Sequence, residues 1–223
     1  MHKLKSKLNL KIQIPLNKDE ECKNIEDNKK SITEIIDNIY ISGYLIAEDI
    51  NYLLKNKFTH IINCSHGSSL LSINHQKNIP KNINYLLISL RDDPSDDIIQ
   101  KILEIINFIE NDKKEKKILF HCIEGVSRGP ALAAGYLMWK KNISKNEAIN
   151  IISSKRKCID INLGFSIQLN KWEKYLQSFS DKINLINNIG FNNDLIKYNV
   201  KSFEGDSDIE INKNKIKIHA LLQ

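Results

Sequence analysis

Ten residues held between an apolar run and a helix-forming run constrain this chain more than any other feature. Lys117-Ile118-Leu119-Phe120 leads into His121-Cys122, five residues intervene before Arg128, and Gly129-Pro130 opens the run ALAAGYLMWKK. The order is a strand, a tight loop and a helix. If the loop wraps over the N-terminus of that helix, its backbone N–H groups converge and the helix dipole adds partial positive charge, which together make a site for a tetrahedral anion. Cys122 sits at the bottom of the loop, where the same field favours a thiolate and makes its sulfur a nucleophile. Arg128, at the far lip, presents a planar fork that can hold two oxygens of the anion and offset charge developing on it. Gly125 lets the backbone turn tightly and approach the ligand. Ser127 can donate a hydroxyl hydrogen bond inside the loop, and His121 can orient the loop from behind the cysteine. Pro130 suits a first helical turn, where its missing N–H costs nothing.

A buried structural cysteine near a surface arginine is the bland alternative. At average residue frequencies the joint pattern His-Cys-x-x-Gly-x-Ser-Arg arises by chance in on the order of one chain in 10,000 or fewer. Its place between a strand and a helix makes chance rarer still.

At these residues the chain resembles the cysteine-dependent protein phosphatases, and within them the dual-specificity branch. The resemblance extends to Asn38-Ile-Tyr-Ile-Ser-Gly43, to Thr59-His-Ile-Ile-Asn-Cys64, to AGYLMWKK and to the segment Asn162–Leu169, NLGFSIQL. It runs from Ser31 to near Ser178, and the 162–169 segment resembles the mitogen-activated-kinase phosphatase subgroup. The resemblance implies a cysteine-phosphatase α/β fold, with a central mixed, largely parallel sheet flanked by helices. It implies hydrolysis of phosphotyrosine and phosphoserine or phosphothreonine through a phosphocysteine intermediate, with no metal and no other cofactor. The partner is then a phosphoprotein substrate, with a mitogen-activated kinase as one candidate.

By the same resemblance Cys122 is the nucleophile, Arg128 holds the phosphoryl group, and Asp92 stands where the family's general acid stands, five residues before Asp97. Asp93 is the fallback for that role. His121, Ile123, Glu124, Gly125, Val126, Ser127 and Gly129 are the substrate-binding residues of the loop. Arg156 and Asn162 match positions that brace the fold. Cys64, ending the neighbouring strand, matches a position from which some relatives capture the oxidised nucleophile as a disulfide. Gly129 departs from the family, which mostly carries Ser or Thr after the loop arginine to stabilise the departing thiolate. A slow or inactive phosphatase acting as a phosphoprotein-binding module is therefore the alternative function. Phosphoinositide hydrolysis is a weaker rival, because those relatives place lysines in the loop where Glu124 would repel a polyanionic head group.

Bulk properties bound the rest. At 223 residues the chain holds one domain with extensions. Its formal charge of +6 is spread over lysines scattered among Glu, Asp and Asn, without the basic stripe interleaved with aromatics that nucleic-acid binding needs. No apolar stretch approaches the roughly 18 residues of a membrane span, so no membrane association is expected. The four cysteines, at 22, 64, 122 and 158, show no paired spacing for zinc or a disulfide framework, which fits a reducing compartment, the cytoplasm or the nucleus.

In chain order, residues 1–30 form an N-terminal extension. Leu8, Leu10, Ile12 and Ile14 alternate with polar residues as a short strand would, and NKDEECKNIEDNKK reads as a charged linker. Lys5, Lys7, Leu8 and Leu10 also resemble peptides that dock on mitogen-activated kinases. The catalytic domain is expected over 31–178. Within it the pattern predicts strands at Ile39–Ser42, Phe58–Cys64 and Asn84–Leu90, and helices at Ala47–Lys57, Ile98–Glu110, Ala131–Trp139 and Asn162–Gln177. Residues 65–82 read as a loop. Asp96 and Asp97 are expected to cap the 98–110 helix, and Ser144 with Glu147 to form a capping box. Residues 179–223 form a C-terminal extension in which Ile209, Ile211, Ile216 and Ile218 suggest a β-hairpin around Lys213-Asn214.

Overall fold

The computed structural model of the protein describes residues 25–66, 79–112 and 114–188. The strand expected at 8–14, the docking-like peptide, much of the 65–82 loop and the C-terminal hairpin lie outside the described residues. Five strands form one sheet: β1 (Ile32–Ile36), β2 (Ile39–Ser42), β3 (His60–Asn63), β4 (Asn84–Leu87) and β5 (Ile118–His121). Their order across the sheet is β1-β2-β5-β3-β4.

β2, β5, β3 and β4 run parallel, and β1 alone is antiparallel. β1 turns back into β2 through Asp37 and Asn38, with φ of 46° and 63°, the two left-handed residues that a tight hairpin turn needs. That hairpin is the antiparallel part of the expected mixed sheet. In register, His121 lies opposite Ser42 on one side and Asn63 on the other. The carboxyl ends of three parallel strands therefore align, and Cys122 leaves from the middle one. Ligands bind at this edge in open α/β sheets.

Alternation along the central strands divides the core between two faces. Ile41, Ile62 and Phe120 join Ile102, Ile105, Leu132, Tyr136, Ile152, Phe165 and Trp172 on one side. Those partners come from α4 (Ile99–Glu110), α5 (Arg128–Lys141), α6 (Lys145–Lys155) and α7 (Leu163–Asn188), once α1 (Ile25–Lys29), α2 (Tyr44–Glu48) and α3 (Ile50–Lys55) are counted first. Ile61 and Leu119 face the other way, onto Ala47, Leu53 and Phe58. Coverage on both faces explains why β3 and β5 are apolar-rich and buried at every position.

α5 is buried without a break from Gly129 to Met138, as a helix that is small or apolar all round must be. Trp172 of α7 closes over it, donating its indole N–H to the Gly135 carbonyl at 3.0 Å. Truncating that fully buried ring to alanine would cost about 3–5 kcal/mol.

Several elements differ from expectation: α7 runs past Gln177 to Asn188, β4 ends at Leu87 instead of Leu90, and β1 is a strand that the sequence pattern does not predict. The helix expected over Ala47–Lys57 is two, because the Asp49 carboxylate accepts the Tyr52 N–H at 2.9 Å and starts α3 anew. α5 begins at Arg128, three residues before the expected Ala131, so the loop runs straight into the helical turn. The expected charged linker contains α1, whose Asn28 is buried. The Ser144–Glu147 capping box is present as expected.

Candidate active site

The loop from His121 to Gly129 is built by three local constraints. His121, the last residue of β5, is 2% exposed and Cys122 is likewise 2% exposed. Gly125 takes φ +68°, and a Cβ there would lie 2.6 Å from the Ser42 carbonyl oxygen, so no other residue fits. Its N–H donates to Cys122 Sγ at 3.2 Å, which turns a loop amide onto the sulfur. Ser127 and Arg128 then enter α5, whose N-terminus closes the ring, and the Ser127 carbonyl accepts the Ala131 N–H at 2.9 Å. The Ile123 and Val126 carbonyls point away from this centre, accepting the Tyr44 and Asp160 N–H groups at 3.1 and 2.9 Å. Glu124 is half-buried on the wall.

Arg156 holds the loop from behind. It is 3% exposed, and its guanidinium donates to the carbonyls of Gly125 at 2.7 Å and Glu124 at 2.9 Å. On its other side it donates to Ser31 Oγ at 3.0 Å, Thr33 Oγ1 at 3.2 Å and the Asn28 carbonyl at 3.5 Å. Burial pulls the guanidinium below its ordinary value, while the neighbouring Cys158 and Cys122 act to raise it. Turning the carbonyls toward Arg156 leaves amides, such as that of Gly125, to face the anion.

Arg128 stands at the far lip with its side chain 13% exposed. Its Nη1 donates to the Leu90 carbonyl at 3.3 Å. Its buried Nε makes no hydrogen bond with a described residue and lies 3.8 Å from Asp92 Oδ2. A buried donor without a partner is a place for a ligand oxygen.

Asp92 is held over the loop. Its Oδ1 accepts the Ser127 hydroxyl at 2.7 Å and the Asn162 side-chain amide at 2.8 Å. Ser127 therefore aims its hydroxyl at Asp92 and not into the loop, which corrects the sequence expectation: the carboxylate is the stronger acceptor within reach. Asp93 turns elsewhere, accepting the Ser95 N–H and hydroxyl at 2.8 and 2.6 Å. Those bonds hold its carboxyl below the usual range and tie it into the turn at Ser95.

The segment bearing Asp92 is closed by Asp96, which accepts the Arg91 N–H at 2.9 Å and pairs with the Arg91 guanidinium. Asp96 was expected as a helix cap; only Asp97 does that, accepting the Ile99 N–H at 2.8 Å. Gln168 on α7 bridges the Asp96 carbonyl and the Ile98 N–H at 2.8 and 2.9 Å. Gly164 lets Pro94 lie directly on α7, since a Cβ there would sit 2.1 Å from the Pro94 oxygen.

Asn162 does more than the expected bracing, because it touches Asp92 while its Oδ1 accepts the Phe165 N–H at 2.9 Å and caps α7. An Asn just before a helix marks the cap in the sequence; nothing local marks the second bond. Cys64 follows β3 and is fully buried, its N–H donating to the His121 carbonyl at 2.7 Å. Burial first, then the nearby Cys122 charge, pushes its thiol well above the ordinary range. Among the described residues no cluster of three or more His, Cys, Asp or Glu could hold a metal ion.

A strand, an anion loop and a helix at the carboxyl edge of a mostly parallel sheet form the scaffold of the cysteine-dependent phosphatases. The model of the dual specificity phosphatase catalytic domain matches residues 39–175, and the chain belongs to that family. It is 30% identical over 151 residues to the protein-tyrosine-phosphatase MKP1 of Arabidopsis thaliana, covering 67% of this chain and 18% of that protein. It is 30% identical to the dual specificity protein phosphatase 22 of Homo sapiens, covering 65% of this chain and 74% of that one. The human tyrosine phosphatase-like serine/threonine/tyrosine-interacting protein superposes with a TM-score of 0.58 at 27% identity, over 64% of this chain and 95% of that chain.

Proposed function

We propose that the protein hydrolyses phosphotyrosine and phosphoserine or phosphothreonine in phosphoproteins through a phosphocysteine intermediate. Cys122 Sγ attacks phosphorus and the bond from phosphorus to the substrate oxygen breaks. The loop N–H groups and the Arg128 fork offset the charge on the transferring group. Asp92 gives its proton to the departing oxygen, since an alkoxide leaves poorly alone. It then takes a proton from water, which attacks phosphorus, expels the Cys122 thiolate and yields inorganic phosphate. His121, Ile123, Glu124, Gly125, Val126, Ser127 and Gly129 shape the loop that holds the phosphoryl group.

The observation that carries this reading is the pair of donors on Asp92 Oδ1, which leaves Oδ2 turned toward Arg128 across the loop from Cys122. The reading needs a reduced Cys122, hence the cytoplasm or the nucleus; the free thiols of Cys64, Cys122 and Cys158 accord with that. No described helix is long and apolar enough to cross a membrane. A phosphorylated mitogen-activated kinase is the first substrate to test, following the resemblance of the 162–169 segment. The catalytic unit is residues 31–178.

The test is hydrolysis of para-nitrophenyl phosphate and a phosphopeptide panel, beside phosphoinositides, in the presence of chelator. Activity on the aryl phosphate and peptides that vanishes in Cys122→Ser is expected. Full activity in that variant would overturn the mechanism, and preference for phosphoinositides would overturn the substrate class.

A further inference from the structure

α7 begins at the acid-bearing segment and leaves an apolar end uncovered there. Leu163 is 74% exposed and Ile167 is 47% exposed, whereas the alternate face of the same helix sends Phe165, Leu169 and Trp172 into the core. Four residues apart, Leu163 and Ile167 share one stripe. The stripe continues as Lys171 and Lys174, which are exposed and make no ion pair with a described residue. At 1.5 Å of rise per residue, Lys171 is about 12 Å along the helix from Leu163.

The position of this stripe relative to the chemistry is set by bonds already described. Asn162, directly before Leu163, donates to Asp92 Oδ1 at 2.8 Å. Asp160 donates its N–H to the Val126 carbonyl at 2.9 Å, which lays the approach to α7 along the catalytic loop. Gly164 lies against Pro94, two residues past Asp92. A phosphorylated side chain that reaches Cys122 beneath Asp92 thus brings its own backbone past Leu163. Val126, a half-buried apolar loop residue, is the one tied to that approach, through its carbonyl on the Asp160 N–H.

We infer that Leu163, with Ile167 behind it, is a specificity-determining lip that receives an apolar residue flanking the phosphorylated residue, while Lys171 and Lys174 favour an acidic residue farther along the substrate. The inference deepens the protein phosphatase reading and rests on it. The occupant is a phosphoprotein segment because the lip is continuous with the catalytic loop and its basic end complements acid. Burying a leucine-sized surface from both partners is worth about a tenfold preference.

The experiment measures kcat/KM of the full chain on phosphotyrosine peptides in which a single Leu or Ser is walked through the flanking positions, with and without a distal Glu pair. Wild type is expected to prefer Leu at one flank by about tenfold, and more with the Glu pair at low salt. Leu163→Ser and, more weakly, Ile167→Ser should erase the Leu preference while kcat/KM on para-nitrophenyl phosphate stays within about twofold, since that substrate has no flank to read. No flank preference in wild type, or one that survives in Leu163→Ser, overturns the inference. Equal losses on peptides and on the aryl phosphate also overturn it, because they mark a structural residue. If Leu163→Ser speeds every peptide, the stripe is covered by residues 189–223 or by a second copy, and the inference falls. Failure of the underlying reading looks different: wild type then cleaves the aryl phosphate and no phosphopeptide at all.

Discussion

Replacing Gly129 with serine separates the two chemical steps. A Cβ added at Gly129 would lie 3.7 Å from Cys122 Sγ and 3.7 Å from Cys122 N, ordinary contact distances that require nothing to move. A hydroxyl one bond farther out can rotate onto the sulfur. In the proposed first step Cys122 attacks and Asp92 supplies the proton, so the missing hydroxyl matters little. In the second step the sulfur must depart as a thiolate, and the present chain offers it no hydroxyl at residue 129. A hydrogen bond to a charged group is worth about 1.5–3 kcal/mol, or roughly ten- to a hundredfold in rate. Rapid mixing with an aryl phosphate should therefore show a burst of leaving group near one equivalent of enzyme, followed by slow turnover. Gly129→Ser should shrink the burst and raise the steady rate by about ten- to a hundredfold. A linear time course that is unchanged in Gly129→Ser would refute the reasoning, since it would mean the Gly125 amide already on the sulfur suffices.

Asp92→Ala should lower turnover by about 100- to 10,000-fold on alkyl phosphates and much less on activated aryl phosphates, while Asp93→Ala leaves both nearly unchanged; pH-controlled steady-state kinetics on the two substrate types decides. Arg156→Met should strand the Asn28, Glu124 and Gly125 carbonyls and cost about 3 kcal/mol or more, read as a lower urea midpoint, with kcat/KM falling as the loop loses its brace. An unchanged midpoint would show that water replaces the guanidinium. Mild peroxide should link Cys64 to Cys122. Because burial holds the Cys64 thiol above the ordinary range, its reactive thiolate is scarce at neutral pH and linking should accelerate as pH rises; peptide mapping that finds the two unlinked removes the idea.

The nucleophile loop was legible in the sequence because its parts are contiguous. Cys122, Gly125 and Arg128 lie within seven residues, and the strand before them and the helix after them dictate by local geometry where the amides point. The parallel sheet and the buried helix α5 were legible for a related reason, since apolar runs without a polar face can only be covered on all sides. Other features depended on contacts between distant segments. Asp93 is taken up locally by Ser95, two residues on, whereas Asp92 is held over the loop only by Ser127 and Asn162, 35 and 70 residues away. Ser127 could equally have bonded inside its own loop until the fold brought a charged acceptor within reach. Only the family resemblance marks Arg156 as a brace, since nothing local to it does; packing buries it between the loop and residues 28–33, where carbonyls and hydroxyls satisfy it. Hydrogen bonds between residues near in sequence follow from backbone conformation, whereas those that aim the acid and brace the loop exist only once the sheet has set the distances.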